Sequence, residues 1–123
     1  MGVSYFFDTY AFFEIFSENK HYEQFTKNIN ILTTTLNLME LHYGMLRTFG
    51  REIADRYYDE LREFCIEMDD EVIKAANELK NQFKERRLSY IDCIGYILAK
   101  TRNVPFLTGD KQFEDMDNVE YVK

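Results

Sequence analysis

The sequence predicts an α/β domain with a mainly parallel sheet, and three observations support this prediction. Short β-branched and aromatic runs alternate with longer segments of helical periodicity along the 123 residues. The first run, residues 3–9, is continuously apolar until it stops at an acid, which is typical of a strand buried on both faces. Apolar residues make up 46% of the chain, with 5 Gly and 1 Pro, so one folded domain is expected over residues 1–123.

The first half of the chain is expected to alternate strands and helices. A strand at the start is followed by a helix over residues 9–17, a short helix over 22–27 and a second strand over 29–32. Thr35 is expected to cap the next helix, which Gly50 ends. The apolar stripe of this helix has spacings of 3, 4 and 3 and consists of Leu36, Met39, Tyr43 and Leu46. A further helix has spacings of 4, 4 and 3, through Ile53, Tyr57, Leu61 and Phe64.

The second half continues the alternation. Residues 64–68 are too short for a helix of their own and are interpreted as a third strand. Asp69 then caps a helix that is acidic at its start and basic at its end, as the helix dipole favours. Ser89 opens a helix that is apolar almost all round, which predicts burial against the sheet. Residues 104–108 and 119–122 are the last two predicted strands, with a turn of helix around residue 113 between them.

The composition excludes several classes of protein. A net charge of −7 argues against a general nucleic-acid binder with a basic face, so any such function needs a metal or a local basic patch. No apolar run approaches the roughly 20 residues of a membrane helix, and no signal peptide is recognisable at the start. Cys65 and Cys93 stand alone in apolar surroundings, which favours reduced cysteines and a cytoplasmic protein.

Four acids mark one edge of the predicted sheet. Asp8 ends the first strand, and Asp110 directly follows the fourth. Glu40 lies in the second turn of the helix after strand two, and Asp92 lies in the first turn of the apolar helix. In a parallel sheet, strand ends and the starts of the following helices share one edge, where ligands bind. We therefore expect all four carboxylates to reach one crevice.

Each acid also has a structural interpretation. Asp8 and Asp110 match helix N-caps, Ser89 with Asp92 matches a capping box, and Glu40 is explicable as a solvated acid. For each acid alone, its structural interpretation is the stronger one. Capping, however, explains neither Glu40 nor the repeated placement of acids at one edge. Four carboxylates in one crevice repel unless a cation neutralises them, and oxygen-only ligands favour Mg²⁺ or Mn²⁺.

Four segments of the chain together resemble the signature segments of PIN domains. The resemblance is closest to small prokaryotic forms, the toxin subunits of VapBC toxin–antitoxin systems, and it covers nearly the whole chain in the right order. The segments are Phe6-Phe7-Asp8-Thr9, Met39-Glu40, residues 90–99 and residues 107–113.

The resemblance implies a three-layer α/β/α fold with a five-stranded, mainly parallel sheet. It also implies an endoribonuclease dependent on Mg²⁺ or Mn²⁺, a homodimer, and a cognate antitoxin that covers the acidic site. Carried over residue by residue, it makes the metal-binding acids Asp8, Glu40, Asp92 and Asp110, with supporting hydroxyls at Thr108 and Thr9. Gln112 stands where relatives often carry a further acid or Asn, which puts a fifth ligand in doubt.

Other interpretations remain open at this point. A non-catalytic binding module on the same fold is one alternative, because sequence does not show the geometry that activity requires. A signalling receiver domain needs paired acids after strand one, whereas Asp8 is single. Lys111, Arg47 and Arg51 are candidates for steering RNA, although solubilising charge explains them more simply. The many aromatic residues are interpreted as core and dimer surface rather than as base-stacking groups.

Overall fold

Every neighbouring pair of strands in the sheet is parallel, which confirms the predicted α/β class. The structure is a computed structural model that describes residues 2–123. Its sheet has the strand order β2-β1-β3-β4. The strands are β1 (Val3–Phe7), β2 (Ile29–Leu32), β3 (Phe106–Thr108) and β4 (Val119–Tyr121).

The helices fall close to the predicted segments. They are α1 (Thr9–Phe16), α2 (Thr35–Phe49), α3 (Arg51–Leu61), α4 (Asp70–Gln82) and α5 (Tyr90–Thr101). Short 3₁₀ turns occupy Lys20–Phe25, Arg62–Phe64 and Lys111–Phe113. The first of these turns replaces the short helix expected over residues 22–27. No helix within residues 2–123 combines the length and the apolarity that a membrane crossing requires.

Two separate cores lie on opposite faces of the sheet. Neighbouring residues Phe6 and Phe7 of β1 are both fully buried, but they point to opposite faces and join different clusters. Phe6 packs with residues of α4 and α5, and Phe7 packs with residues of α1, α2 and α3. The sheet is therefore the middle of three layers, and β1 is buried on both faces at its carboxyl end.

The third predicted strand, residues 64–68, is reduced to a single bridge. Thr33 pairs with Cys65 in parallel, through hydrogen bonds from Thr33 N to Phe64 O (3.0 Å) and from Ile66 N to Thr33 O (2.8 Å). The next residue, Thr34, already caps α2, so the segment has only one partner residue beyond β2. In residues 2–123 the sheet thus has four strands, where five were expected.

The core-facing side of α2 was predicted wrongly. Met39, Tyr43 and Leu46 of the predicted stripe are 56%, 62% and 40% exposed. The buried side of the helix is shifted around its axis and consists of Asn37, Leu38, Leu41 and Met45. The N-cap was also placed one residue too late, because Thr34 rather than Thr35 accepts the hydrogen bond from Asn37 N.

Candidate active site

Asp8 lies at the centre of the site, directly after β1. Its side chain is 3% exposed. One carboxylate oxygen, Oδ1, accepts a hydrogen bond from Thr9 N (2.9 Å), which caps α1, and Oδ2 accepts one from the Thr108 hydroxyl (2.7 Å). Asp8 N donates to Leu107 O (3.1 Å), which extends the pairing of β1 with β3 by one residue. Both the backbone and the side chain of Asp8 are therefore fixed by the sheet edge.

Thr108 connects Asp8 to the next acid along the edge. Its hydroxyl, fully buried, accepts a hydrogen bond from Asp110 N (3.0 Å) while it donates to Asp8. Asp110 in turn caps the 3₁₀ turn that follows β3, because its Oδ1 accepts from Gln112 N (3.0 Å). One hydroxyl thus orients the carboxylate of one acid and the backbone of another.

Glu40 is held by a chain of buried hydrogen bonds. The Thr9 hydroxyl donates to Glu40 Oε1 (2.7 Å) and accepts from Asn37 Nδ2 (3.1 Å). Asn37 Oδ1 accepts from the Thr34 hydroxyl (2.7 Å), and the Asn37 side chain is 1% exposed. The carboxylate of Glu40 is therefore tied to the starts of both α1 and α2.

Asp92 enters from the other side of the sheet edge, in the first turn of α5. It forms a reciprocal capping box with Ser89, in which Asp92 N donates to Ser89 Oγ (3.0 Å) and Ser89 N donates to Asp92 Oδ2 (3.1 Å). The capping interpretation made from the sequence is thus confirmed for Asp92, as it is for Asp8 and Asp110. An acid can cap a helix and also line the common crevice, because these helices and turns all begin at the same edge of the sheet.

The four acids line a single open cleft of about 450 Å³. Its walls also include a threonine, two tyrosines, a phenylalanine and a glycine, namely Thr9, Tyr10, Tyr43, Phe13 and Gly44. A larger depression of about 570 Å³ lies elsewhere, between α2 and α3, and contains the hydrogen bond between His42 Nε2 and Asp55 Oδ1 (2.7 Å) but none of the four acids. The cleft with four carboxylates is therefore the better candidate for the functional site.

Burial and mutual repulsion make this cleft unfavourable for negative charge. Burial, reinforced by the nearby charges of Asp92 and Glu40, raises the pKa of Asp8 to about 7, although the hydrogen bonds from Thr108 and Thr9 oppose the rise. Burial also raises the pKa of Asp92, with a further contribution from Asp110 and Glu40 and opposition from Ser89. A cation placed among these groups would remove the penalty and lower both pKa values.

The chemistry of the donor set fits a hard divalent cation. The side chains around the cleft offer carboxylate oxygens and no His or Cys within the described residues, and such oxygens suit Mg²⁺ or Mn²⁺. No three His, Cys, Asp or Glu side chains of residues 2–123 already form a closed metal-ligand group. Mg²⁺ does not need one, because proteins commonly hold it through one or two carboxylates and several waters.

The structure brings together all the site residues expected from the sequence, and it adds two. Asp8, Glu40, Asp92 and Asp110 share the cleft, and Thr9 and Thr108 donate to two of them. The sequence interpretation missed Asn37 and Thr34, which support Thr9 from behind. An Asn three residues before Glu40, on the same side of the helix, was the available signal, but the wrong helical stripe placed Asn37 outside the core.

Comparisons with known proteins agree with this fold. A family model described as "PIN domain" matches residues 5–119. No sequence among the curated proteins matches the chain significantly.

Several solved structures share the fold at low sequence identity. VapC20 of Mycobacterium tuberculosis, described as a Sarcin-Ricin loop cleaving toxin, superposes with a TM-score of 0.79 at 16% identity, over 97% of this chain and 99% of its own. A toxin–antitoxin complex from Klebsiella pneumoniae gives 0.75 at 19% identity, over 94% of each chain. VapBC2 from Rickettsia felis, bound to a DNA fragment from its promoter, gives 0.69 at 19% identity, over 98% and 100%.

Proposed function

Since the chain belongs to the PIN domain family, we propose that it is an endoribonuclease dependent on Mg²⁺ or Mn²⁺ and the toxin component of a type II toxin–antitoxin system. The observation that carries the proposal is that Asp8, Glu40, Asp92 and Asp110 all line the same cleft. The fold shared with VapC20, a Sarcin-Ricin loop cleaving toxin, supports RNA as the substrate class.

The residues of the cleft divide between two roles in this proposal. The four acids hold the cation, and Thr9 and Thr108 fix the orientation of Glu40 and Asp8 through their hydroxyls. When bound, the cation supplies a more acidic water and stabilises charge on the phosphodiester. It also explains how a chain with a net charge of −7 approaches a phosphate, because the acids themselves would repel it.

Cleavage of a mixed structured RNA pool by the purified protein tests the proposal. We expect cleavage with Mn²⁺ or Mg²⁺, none with chelator, and none from an Asp92→Asn variant. Asp69→Asn is the matched control, because Asp69 also caps a helix through its side chain, at α4, but does not line the cleft. Normal cleavage by Asp92→Asn would exclude the proposed site.

A thermal-shift measurement beside the cleavage assay separates the proposed enzyme from a non-catalytic module on the same fold. A site that binds metal only in the folded state raises the melting temperature as the metal concentration rises. A Mn²⁺-dependent thermal shift without cleavage of any RNA would favour a narrow or different substrate. If Mn²⁺ causes no thermal shift and no RNA is cleaved, the result favours the binding module.

The proposal includes a protein partner and a cytoplasmic location. The Klebsiella pneumoniae and Rickettsia felis structures are described as a toxin–antitoxin complex and as VapBC2. We therefore propose a cognate antitoxin for this chain, and we propose a homodimer because the resemblance to the family implies one. Co-purification with the product of the adjacent gene tests the antitoxin, and sedimentation of the purified protein tests the homodimer. A protein that sediments as a monomer and does not co-purify with that gene product would contradict both.

A further inference from the structure

Tyr43 stands at the rim of the acidic cleft. It follows Glu40 by three residues on α2, so the two side chains lie on the same side of the helix, and both line the cleft. The adjacent Gly44 fixes this position, because a Cβ on Gly44 would lie 2.3 Å from Cζ of Phe13. The close contact between α1 and α2 therefore holds Tyr43 beside the four carboxylates.

The ring of Tyr43 is exposed to solvent and has a cation over it. Its side chain is 62% exposed, unlike the buried aromatic residues of the two cores. The guanidinium of Arg47 lies over the ring, with Cζ 5.6 Å from the ring centroid, one helical turn further along α2. An exposed aromatic ring can stack on a base, and a guanidinium beside it can bind the neighbouring phosphate.

Cations lie beside this cleft rather than in its lining, and one of them is Lys123, whose Nζ is 5.6 Å from the centroid of the Tyr10 ring. Among the described residues, the cleft lining contains four carboxylates and no Lys or Arg. A polyanion that reaches the acids therefore needs an attachment point outside the lining, and Arg47 on Tyr43 provides one at the rim. Stacking is also suited to an acidic protein, because it does not depend on net charge.

We propose that Tyr43 and Arg47 form a stacking platform for one unpaired base of a single-stranded RNA segment whose phosphodiester lies in the cleft. The proposal rests on the proposed function and deepens it by assigning the substrate's contact beside the site. It also departs from the sequence-based interpretation of the aromatic residues as core and dimer surface, since it assigns Tyr43 to base stacking.

The absence of Trp from the sequence makes binding directly measurable. In an Asp92→Asn background, Tyr43→Trp introduces the only Trp, and we expect its fluorescence to be quenched by a pool of single-stranded RNA of about 12 nucleotides. An abasic oligonucleotide of the same length keeps the phosphates and removes the bases. It is expected to quench at least about fivefold less well, since stacking provides the contact.

Tyr90 provides the matched control for this experiment. It is also 62% exposed and also has a cation over its ring, Lys80 Nζ at 4.9 Å from the centroid, but it does not line the acidic cleft. A Trp at position 90, in the same background, should not be quenched. Equal quenching at both positions would mean that RNA contacts exposed rings indiscriminately, and would overturn the platform.

Steady-state cleavage provides the second readout. Tyr43→Ala is expected to raise KM by about 5- to 150-fold, the range that corresponds to loss of one base–aromatic stack. Tyr43→Phe keeps the ring and should stay within about twofold of the parent. Arg47→Lys keeps the charge but loses the plane, so an intermediate KM is expected.

The two arms distinguish failure of the platform from failure of the proposed function. A parent that cleaves RNA while Tyr43→Ala keeps its KM would overturn the platform alone. A parent that does not cleave RNA, together with no quenching of the Tyr43→Trp, Asp92→Asn protein by RNA, would overturn both. If Tyr43→Ala instead changes the sedimentation of the protein and leaves RNA binding intact, the ring belongs to a protein interface and the platform is excluded.

Discussion

The Thr9 hydroxyl donates a 2.7 Å hydrogen bond to Glu40 Oε1. The same hydroxyl accepts from Nδ2 of the buried Asn37, so its proton is directed toward Glu40. A Thr9→Val variant keeps the shape and the β-branching of the side chain but leaves Nδ2 of the buried Asn37 without its hydrogen-bond acceptor. We expect a loss of about 1–3 kcal/mol in the free energy of unfolding, measured by urea denaturation.

The metal affinity of the same variant reports the functional part of this contact. Removal of a group that orients a metal ligand typically weakens metal binding by about 10- to 100-fold, and calorimetric titration with Mn²⁺ measures this directly. Thr9→Ser is the control, because it retains the hydroxyl and loses only a methyl group. Equal Mn²⁺ affinity in the Val variant and the parent would show that Thr9 does not position Glu40 for a cation.

The metal-free protein should lose stability as the pH rises from about 4 to about 7. Burial raises the pKa of Asp8 from 3.8 to about 7 in the folded state, so the folded state binds more protons than the unfolded state within this window. The resulting stabilisation is complete below the unfolded pKa and is lost as the pH passes the folded pKa. The raised pKa of Asp92 acts in the same direction.

Urea denaturation at a series of pH values with chelator tests this dependence. The slope for Asp8 is at most about 1.4 kcal/mol per pH unit, since one proton is involved. Exposed acids with lowered pKa values, such as Asp115 beside Arg86, act below about pH 4 and do not confuse the window. Asp8→Asn should flatten the curve, and Mn²⁺ should restore stability at neutral pH. Equal slopes for parent and variant would contradict the assignment.

The sequence predicted the convergence of the four acids better than it predicted the buried side of α2. Asp8 and Asp110 could be located because strand ends are marked by abrupt changes from apolar runs to Asp, as in residues 6–8 and 107–110, and Glu40 and Asp92 because they lie within the first two turns of helices. The buried side of α2 could not, because this helix has apolar residues on two sides. Met39 and Tyr43 fit a helical period as well as Leu38 and Leu41 do, and only the packing decides between them.

The missing fifth strand and the hydrogen-bond chain behind Glu40 have a common origin. Both depend on where α2 begins, and a run of three threonines, residues 33–35, offers several possible caps. Thr34 as the cap leaves Thr33 as the sole partner for Cys65 and sets Asn37 in the core. Because the sequence placed the start of α2 one residue too late, neither feature could be predicted from it.

Thr108 should control the proton affinity of Asp8. Its hydroxyl donates to Asp8 Oδ2 (2.7 Å) and lowers the pKa of that carboxyl, against the effect of burial. Thr108→Val removes this donor and also the acceptor of Asp110 N, so we expect the pKa of Asp8 to rise further and the free energy of unfolding to fall by about 1–3 kcal/mol. Titration of the ¹³C carboxyl resonance of Asp8 in the metal-free protein measures the first effect.

Thr108→Ser provides the control for this measurement, because it keeps both hydrogen bonds. Its Asp8 resonance should titrate as in the parent. A Val variant in which Asp8 titrates at lower pH than in the parent would show that Thr108 does not stabilise the charged carboxylate.

Gly95 sets the distance between α5 and the sheet, and thereby the position of Asp92 one turn earlier. A Cβ at this position would lie 2.8 Å from Cε1 of Phe6 and 3.1 Å from Cε1 of Phe106, two fully buried rings that leave little room for adjustment. Gly95→Ala gains about 1 kcal/mol of helix propensity but overpacks the core, which costs about 1–3 kcal/mol. We expect a net loss of stability in urea denaturation, together with weaker Mn²⁺ binding as α5 moves away from the edge.

Ala75→Gly, on the partly exposed side of α4, measures the propensity effect without a core contact of this kind. A Gly95→Ala variant more stable than the parent would show that the rings give way, and that Asp92 does not depend on this close approach.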